Sequence, residues 1–382
     1  MRRILTCSHC VKMMPIILDA RTATDHFPGI GRYVVNLASA LQRVAPDLSL
    51  ILLRDPSAAA QRLALPDLPA LDCAASPFAL PQQWRVRSIL RQSRAALYHS
   101  AYYLMPYAPG IPSMVTCYDL IPLVYPQYFT ATQRLIFRTA HVLALRTTRV
   151  TLAISAATKN DLVRFFHVDP RRIVVTPLAA AAHFQPPSRA EVNRVKQHYA
   201  LPDRYVLYFG SNKPHKNVPR LVEAFAASSA RASGIDLVIA GHWDERYPQA
   251  KELAERLSLK ERVRFIGPVQ DNDLPALYGG TELFVFPSEY EGFGLPVLEA
   301  MACGAPVVCS NRSSLPEIAG DAALLCDPHD VAALARALEQ ALTDWDLRAG
   351  LQQRGLERAA QFTWEQAASQ TLKMYRTILP RT

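Results

Sequence analysis

Short apolar runs and amphipathic stretches alternate along this chain almost from end to end. Ile16 to Leu18 reads as a buried strand with Asp19 and Arg21 at its carboxyl end. Tyr33, Leu37, Leu41 and Val44 then recur at helical spacing. Further strands are predicted at Leu48 to Leu53, Leu97 to His99, Ser113 to Thr116, Val150 to Ile154 and Ile173 to Thr176. Helices are expected from about Thr130 to Thr148 and from Thr158 to Phe166, the second capped by Ser155. Asp55 to Pro81 reads as a loop rich in Pro and Ala, and Trp84 to Arg94 as a helix. On that helix Arg87, Arg91 and Arg94 share a face with Trp84, while Val86, Ile89, Leu90 and Leu97 face the core.

The alternation pauses from Pro177 to Pro187, where Ala and Pro dominate and an inter-domain linker is expected. It resumes with a helix over Glu191 to Tyr199 and a strand at Tyr205 to Phe209. Strands at Leu237 to Ala240, Val263 to Ile266, Leu283 to Phe286 and Pro306 to Cys309 follow, with helices between them. Ala-rich helices fill Val331 to Ala360, and a last amphipathic stretch runs from Thr363 to Leu379. The order predicts an α/β protein of two successive sheets.

Three loops carry candidate chemistry, each at the carboxyl end of a strand. Pro28-Gly29-Ile30-Gly31-Arg32 reads as a glycine loop before the first helix, where open α/β sheets bind phosphate groups. It lacks the third glycine and the distal acid of a dinucleotide fingerprint, which disfavours a nicotinamide cofactor. Lys213-Pro214-His215-Lys216-Asn217 sets two lysines and a histidine beside a helix start, with Asn217 as its cap, and suits a diphosphate. In the third loop, Glu291 and Glu299 flank Gly292-Phe293-Gly294-Leu295-Pro296, which fits a ligand bearing both phosphate and hydroxyls. Asp119, after the Ser113 strand, is a fourth candidate. Each pattern alone also suits a plain strand-loop-helix unit with solvated charges.

Charge divides unevenly. Residues 1–185 hold 20 Lys and Arg against 9 Asp and no Glu, while residues 186–382 hold 22 against 24 acids. The basic half points to an anionic surface or acceptor. No apolar run is long enough to span a membrane, and no signal-peptide pattern is read at the start. Seven scattered cysteines fit a reducing compartment. Cys7 and Cys10 lack two further zinc ligands nearby. The first thirteen residues are expected to be a disordered extension.

Taken together, the motifs resemble a known family. Glu291 and Glu299, with seven residues between them, are similar to the E-x7-E signature of the retaining GT-B glycosyltransferases of family 4. The resemblance runs from Met14 through Gly29-Ile30-Gly31-Arg32-Tyr33, Tyr118-Asp119-Leu120-Ile121-Pro122, Pro214-His215-Lys216-Asn217 and Ser314-Leu315-Pro316-Glu317-Ile318. It implies two Rossmann-like domains facing each other across a cleft: residues 14–182 for the acceptor, 183–362 for the nucleotide sugar. Residues 363–382 would form a helix returning to the first domain.

Carried over, the resemblance makes Glu291, Lys216 and Asp119 catalytic. Lys213, His215 and Asn217 would help hold the donor, Glu299 would bind its ribose, and the backbone of Gly292, Phe293, Gly294 and Leu295 would face sugar and phosphates. Gly29 and Gly31 would approach the diphosphate from the first domain. Many members carry His where Tyr118 stands and Arg where His215 stands; Tyr118 holds no charge near neutral pH. No Asp-x-Asp pair of the metal-dependent GT-A kind is identified, so neither an essential metal nor a cofactor beyond the nucleotide-sugar co-substrate is expected.

The expected activity is transfer of a hexose, with mannose from GDP-mannose the best candidate, to a lipid-linked or growing polysaccharide. The expected location is the inner face of the cytoplasmic membrane, held peripherally through the basic first domain. A nucleotide-sugar epimerase or phosphorylase on the same fold is the alternative. A non-catalytic binder of anionic membrane or nucleic acid fits less well, and no nucleic-acid partner is expected.

Overall fold

The computed structural model describes residues 14–24, 28–57, 64–229 and 233–379. The extension expected over residues 1–13, with Cys7 and Cys10, lies outside the described residues. Seven parallel strands form the first sheet: β1 (Ile16–Asp19), β2 (Leu50–Arg54), β3 (Ala70–Asp72), β4 (Leu97–Ser100), β5 (Ser113–Cys117), β6 (Val150–Ala153) and β7 (Ile173–Val175). Their spatial order is β3-β2-β1-β4-β5-β6-β7. The second sheet holds β8 (Tyr205–Phe209), β9 (Asp236–Ala240), β10 (Val263–Gly267), β11 (Leu283–Phe286), β12 (Val307–Ser310) and β13 (Leu324–Cys326). Its order is β10-β9-β8-β11-β12-β13, again all parallel.

Both orders reverse once, between β1 and β4 and between β8 and β11. Loops leaving adjacent strands in opposite directions open a crevice there, at the carboxyl edge of the sheet. Every candidate loop named above leaves one of these central strands or β5.

Four local expectations change. The helix Pro28–Val44 contains Gly29 and Gly31 in its first turn, so they are not a loop before it. Leu97 belongs to β4, and Arg94 lies beyond the helix Gln82–Gln92, where φ is positive; Val86 and Leu90 do face the core. β3 falls inside the stretch read as loop, and β13 went unread. Strands of three residues are too short to show a period.

The last helix, Trp364–Ile378, returns to the first sheet, as the fold class requires. It packs along Pro28–Val44, with Trp364 against Tyr33 at 6.1 Å and Arg43 paired to Glu365 at 2.7 Å. Below this contact lies a buried polar chain. The His99 ring shares hydrogen bonds of 2.8 Å with the Tyr375 hydroxyl through Nδ1 and with Thr116 Oγ1 through Nε2, and Tyr33 meets the same Oγ1 at 2.8 Å. Removing the central hydroxyl strands two buried polar groups. Thr116→Val is therefore expected to cost about 1–3 kcal/mol in urea unfolding, and Thr116→Ser to recover most of it.

Candidate functional site

The loops after β8 and β11 converge because those two strands are neighbours. After β8 the chain turns through Gly210 and a single 3-10 turn at Pro214–Lys216, then enters the helix Val218–Ala227. After β11 it crosses Pro287 to Gly294 and enters the helix Leu295–Ala302. Lys216 Nζ thereby donates to Glu291 Oε1 at 2.6 Å, across 75 residues of sequence. The ammonium also sits 5.4 Å from the centre of the Phe286 ring. Ser313 and Ser314 donate to the Glu291 carbonyl at 2.6 and 3.0 Å, which holds the loop in place.

The glycines answer two distinct needs. Gly294 adopts φ 110° before the helix, a conformation L side chains rarely take. At Gly292 the need is space: an added Cβ would stand 2.1 Å from the Tyr118 carbonyl oxygen. The two domains therefore touch backbone to backbone at this point. Thr158 Oγ1 bridges the contact, at 2.9 Å from the Tyr118 carbonyl and 3.2 Å from that of Gly292. Tyr290 adds a second link, donating to Asp161 at 2.6 Å and accepting from the Leu120 amide at 3.3 Å. Glu317 makes a third by accepting from the Ala156 amide at 2.8 Å. Thr158 and Tyr290 escaped the sequence reading, because a lone Thr or Tyr on a helix or loop carries no signal of its own.

The cleft between the domains holds a cavity of about 880 Å³. Gly29, Asp119, Lys213 and His215 line it, whereas Lys216 and Glu291 are closed on each other beside it. Burial, with Glu291 nearby, raises the Asp119 carboxyl above its ordinary range, against the Ile121 amide and the two lysines. Burial and the positive Lys216 and Lys213 push His215 down to about 3, so its ring is neutral and can serve only as a hydrogen-bonding group. Lys213 is exposed and makes no ion pair among the described residues. The Tyr118 hydroxyl is buried with no hydrogen-bond partner among the described residues, its ring edge-on to Tyr33 at 5.5 Å.

Other predicted residues have scaffold contacts. Asn217 sits at φ 61° and makes no side-chain cap, contrary to expectation. Its amide donates to the carbonyls of Pro287 and Pro328 at 3.2 and 2.7 Å, tying the two loops together. Phe293 turns away from the cleft to meet Phe362 at 6.0 Å, with Leu295 packed nearby. Gly31 is buried in its helix.

Glu299 is 3% exposed and meets Arg32 of the first domain at 3.5 Å and the Tyr278 hydroxyl at 3.2 Å. Arg32 also reaches Asp271, so it links the domains. The sequence does contain an Asp-x-Asp spacing, at Asp271-Asn272-Asp273. Its carboxylates are turned to separate partners, Asp273 to Arg194 at 2.6 Å and Tyr199 at 3.0 Å, Asp271 to Arg32.

Burial lifts the Glu299 carboxyl to about 7, against the pull of Arg32 and Tyr278. A carboxyl raised in the folded state binds its proton more tightly there than in the unfolded chain. Its contribution thus falls as pH rises from the ordinary carboxylate range through 7, and is level above. Glu299→Gln is expected to flatten the stability profile in that window, as read by urea midpoints across pH; an unchanged slope would refute the shift.

A family profile described as "Glycosyltransferase Family 4" matches residues 28–179, and one described as "Glycosyl transferases group 1" matches residues 190–358. The chain is 36% identical over 292 residues to O-antigen chain mannosyltransferase B of Escherichia coli, spanning 76% of each chain. Among solved structures, sucrose-phosphate synthase of Thermosynechococcus elongatus superposes with a TM-score of 0.76 at 23% identity, over 95% of this chain and 98% of that one. Anabaena HepE, solved with UDP and glucose, gives 0.75 at 18% identity, over 95% of this chain and all of the other. These two likenesses show the fold alone. On the profiles, the relative and the fold together, the chain belongs to the group 1 glycosyltransferases of family 4, with the GT-B fold.

Proposed function

We propose that this glycosyltransferase moves mannose from GDP-mannose, with retention at the anomeric carbon, to a lipid-linked or growing polysaccharide of the cell surface. The observation that carries the reading is the Lys216–Glu291 pair at 2.6 Å, set beside Lys213 and facing Asp119 across the cleft. The choice of mannose is supported by the name of the relative at 36% identity.

In this reading Lys216 and Lys213 stabilise charge on the departing diphosphate, His215 and the Gly292 to Leu295 backbone complete the phosphate side, and Glu291 holds hydroxyls of the transferred sugar. Glu299 takes the ribose, and Gly29 and Gly31 allow the first helix to approach. Asn217 acts only by holding the loops. Charge in the transition state is positive on the sugar and negative on phosphate. The bond from the anomeric carbon to the phosphate oxygen breaks while the acceptor oxygen bonds on the same face. The acceptor's proton passes to the leaving phosphate, so no protein nucleophile is used. Lysines supply the cationic field, and transfer is expected to survive EDTA.

No described helix is long and apolar enough to cross a membrane. The proposed peripheral site on the inner face of the cytoplasmic membrane rests on Trp84, 59% exposed, beside the exposed Arg85, Arg87 and Arg91. We place the domain boundaries near residues 182 and 362.

The test is a thermal-shift panel of GDP, UDP and ADP sugars followed by NMR of the product. A donor present at 100 times its dissociation constant adds about 2.7 kcal/mol. GDP-mannose is expected to give the largest shift and an axial-linked product. Turnover without any acceptor would favour an epimerase, and an inverted product would refute retention.

A further inference from the structure

We infer that Arg32 is a lid on the nucleotide subsite, a first-domain side chain that a donor's ribose must displace from Glu299. This rests on the reading that gives Glu299 to the ribose, and goes beyond it.

Three observations carry the inference. The first is that Glu299 is already engaged. Its Oε2 accepts from the Tyr278 hydroxyl at 3.2 Å, and its Oε1 faces Arg32 Nη1 at 3.5 Å. The side chain is 4% exposed and does not line the cleft cavity, so a ribose hydroxyl reaches neither oxygen until one partner moves. Tyr278 is fully buried in the core of the second domain and has nowhere to go. Arg32 reaches over from the other domain with its side chain 31% exposed. It is the partner that can yield.

The second is a resting place for the displaced group. The same guanidinium donates through Nη2 to Asp271, an exposed residue in the loop after β10. That contact is a hydrogen bond, whereas 3.5 Å to Glu299 is longer than one. Asp271 is thus the anchor and Glu299 the weaker hold. The helix Pro28–Val44 is fixed by its packing on Trp364–Ile378, so the side chain swings while the backbone stays.

The third is charge. A buried carboxylate is costly unless it is paired. Burial, with Asp271 nearby, raises Glu299, and Arg32 and Tyr278 are the groups that oppose the rise. Arg32 neutralises the acid while the site is empty, and two ribose hydroxyls replace it when the site fills. Because Arg32 also links the domains, nucleotide binding undoes one contact between them. Its return to Glu299 favours release of the nucleoside diphosphate after transfer.

The test is calorimetry on the full chain with GDP and with its dideoxy analogue, which lacks both ribose hydroxyls. Titrations are run at about pH 8.5, since losing Arg32 raises the carboxyl further. Arg32→Met keeps the stem and removes the charge. It is expected to bind GDP about fivefold more tightly than the parent, the order of a part-exposed ion pair. The dideoxy analogue has no hydroxyls to displace the lid, so the two proteins should bind it within about 1.5-fold of each other. In a Glu299→Gln background the gain from Arg32→Met should vanish. Arg32→Ala repeats the comparison, so the result does not hang on the folding of one variant. GDP binding that is unchanged or weakened in both variants overturns the inference and leaves Arg32 a fixed bridge between the domains. An equal gain for both nucleotides also overturns it, because the guanidinium would then obstruct entry rather than cover the ribose acid. Failure of the parent chain to bind GDP would instead strike at the proposed donor reading.

Discussion

Alanine at Lys216 is expected to lower sugar transfer by about 10²–10³ in kcat while leaving donor affinity within tenfold, because in the proposed mechanism its charge matters most when the phosphate departs. The ammonium is only 18% exposed in its pair with Glu291, so the field it casts into the proposed diphosphate site is weakly screened. Glu291→Ala is expected to cost a similar factor through lost contact with the donor's hydroxyls. Since each side chain positions the other, the double variant should fall little below either single one. Initial rates with radiolabelled donor decide the matter. A Lys216→Ala enzyme within threefold of the parent would remove this residue from the mechanism.

The second large effect is expected from a single methyl group. Gly292→Ala places a Cβ 2.1 Å from the Tyr118 carbonyl, a clash that only separation of the domains relieves. Misplacement of about 1 Å between reacting groups can cost a hundredfold in rate. The variant should thus retain GDP binding and its unfolding midpoint, lose about 10²-fold in turnover, and show a larger radius of gyration in solution scattering. An unchanged rate would mean that the contact between Gly292 and Tyr118 is no part of the reactive state.

Much of the fold was legible because a central parallel strand is buried on both faces and appears as an apolar run. The runs at Tyr205 to Phe209 and Leu283 to Phe286 coincide with β8 and β11 to the residue. The edges were less clear. β3 and β13 have three residues each, so neither period nor length separates them from loop. The first helix began earlier than expected because its two glycines argued for a turn, and packing along Trp364–Ile378 outweighed their low helical propensity.

The site divides in the same way. The spacing of Glu291 and Glu299 singled out their loop, since both lie on one short segment around a glycine turn. Their partners were illegible: Lys216 lies 75 residues from Glu291, and Arg32 comes from the other domain. Asn217 looked like a cap because Asn often is one, yet it sits in the left-handed region with its amide turned to two distant carbonyls. The basic first half suggested an anionic acceptor, but where charge lies relative to a cleft is a property of the surface rather than of composition.

By itself the sequence determined that this protein has two α/β sheets, and it marked Glu291 and Lys216 as candidates for a donor site. Apolar periodicity and glycine-rich turns are local properties, set by residues a few positions apart. Only the tertiary structure decided how the domains meet, through Gly292 against Tyr118 and Arg32 against Glu299. It also decided that Asp119 lines the cleft from the first domain while Lys213 and His215 line it from the second. These features arise where distant loops converge at the carboxyl edges of two sheets, and no stretch of sequence carries both sides of such a contact.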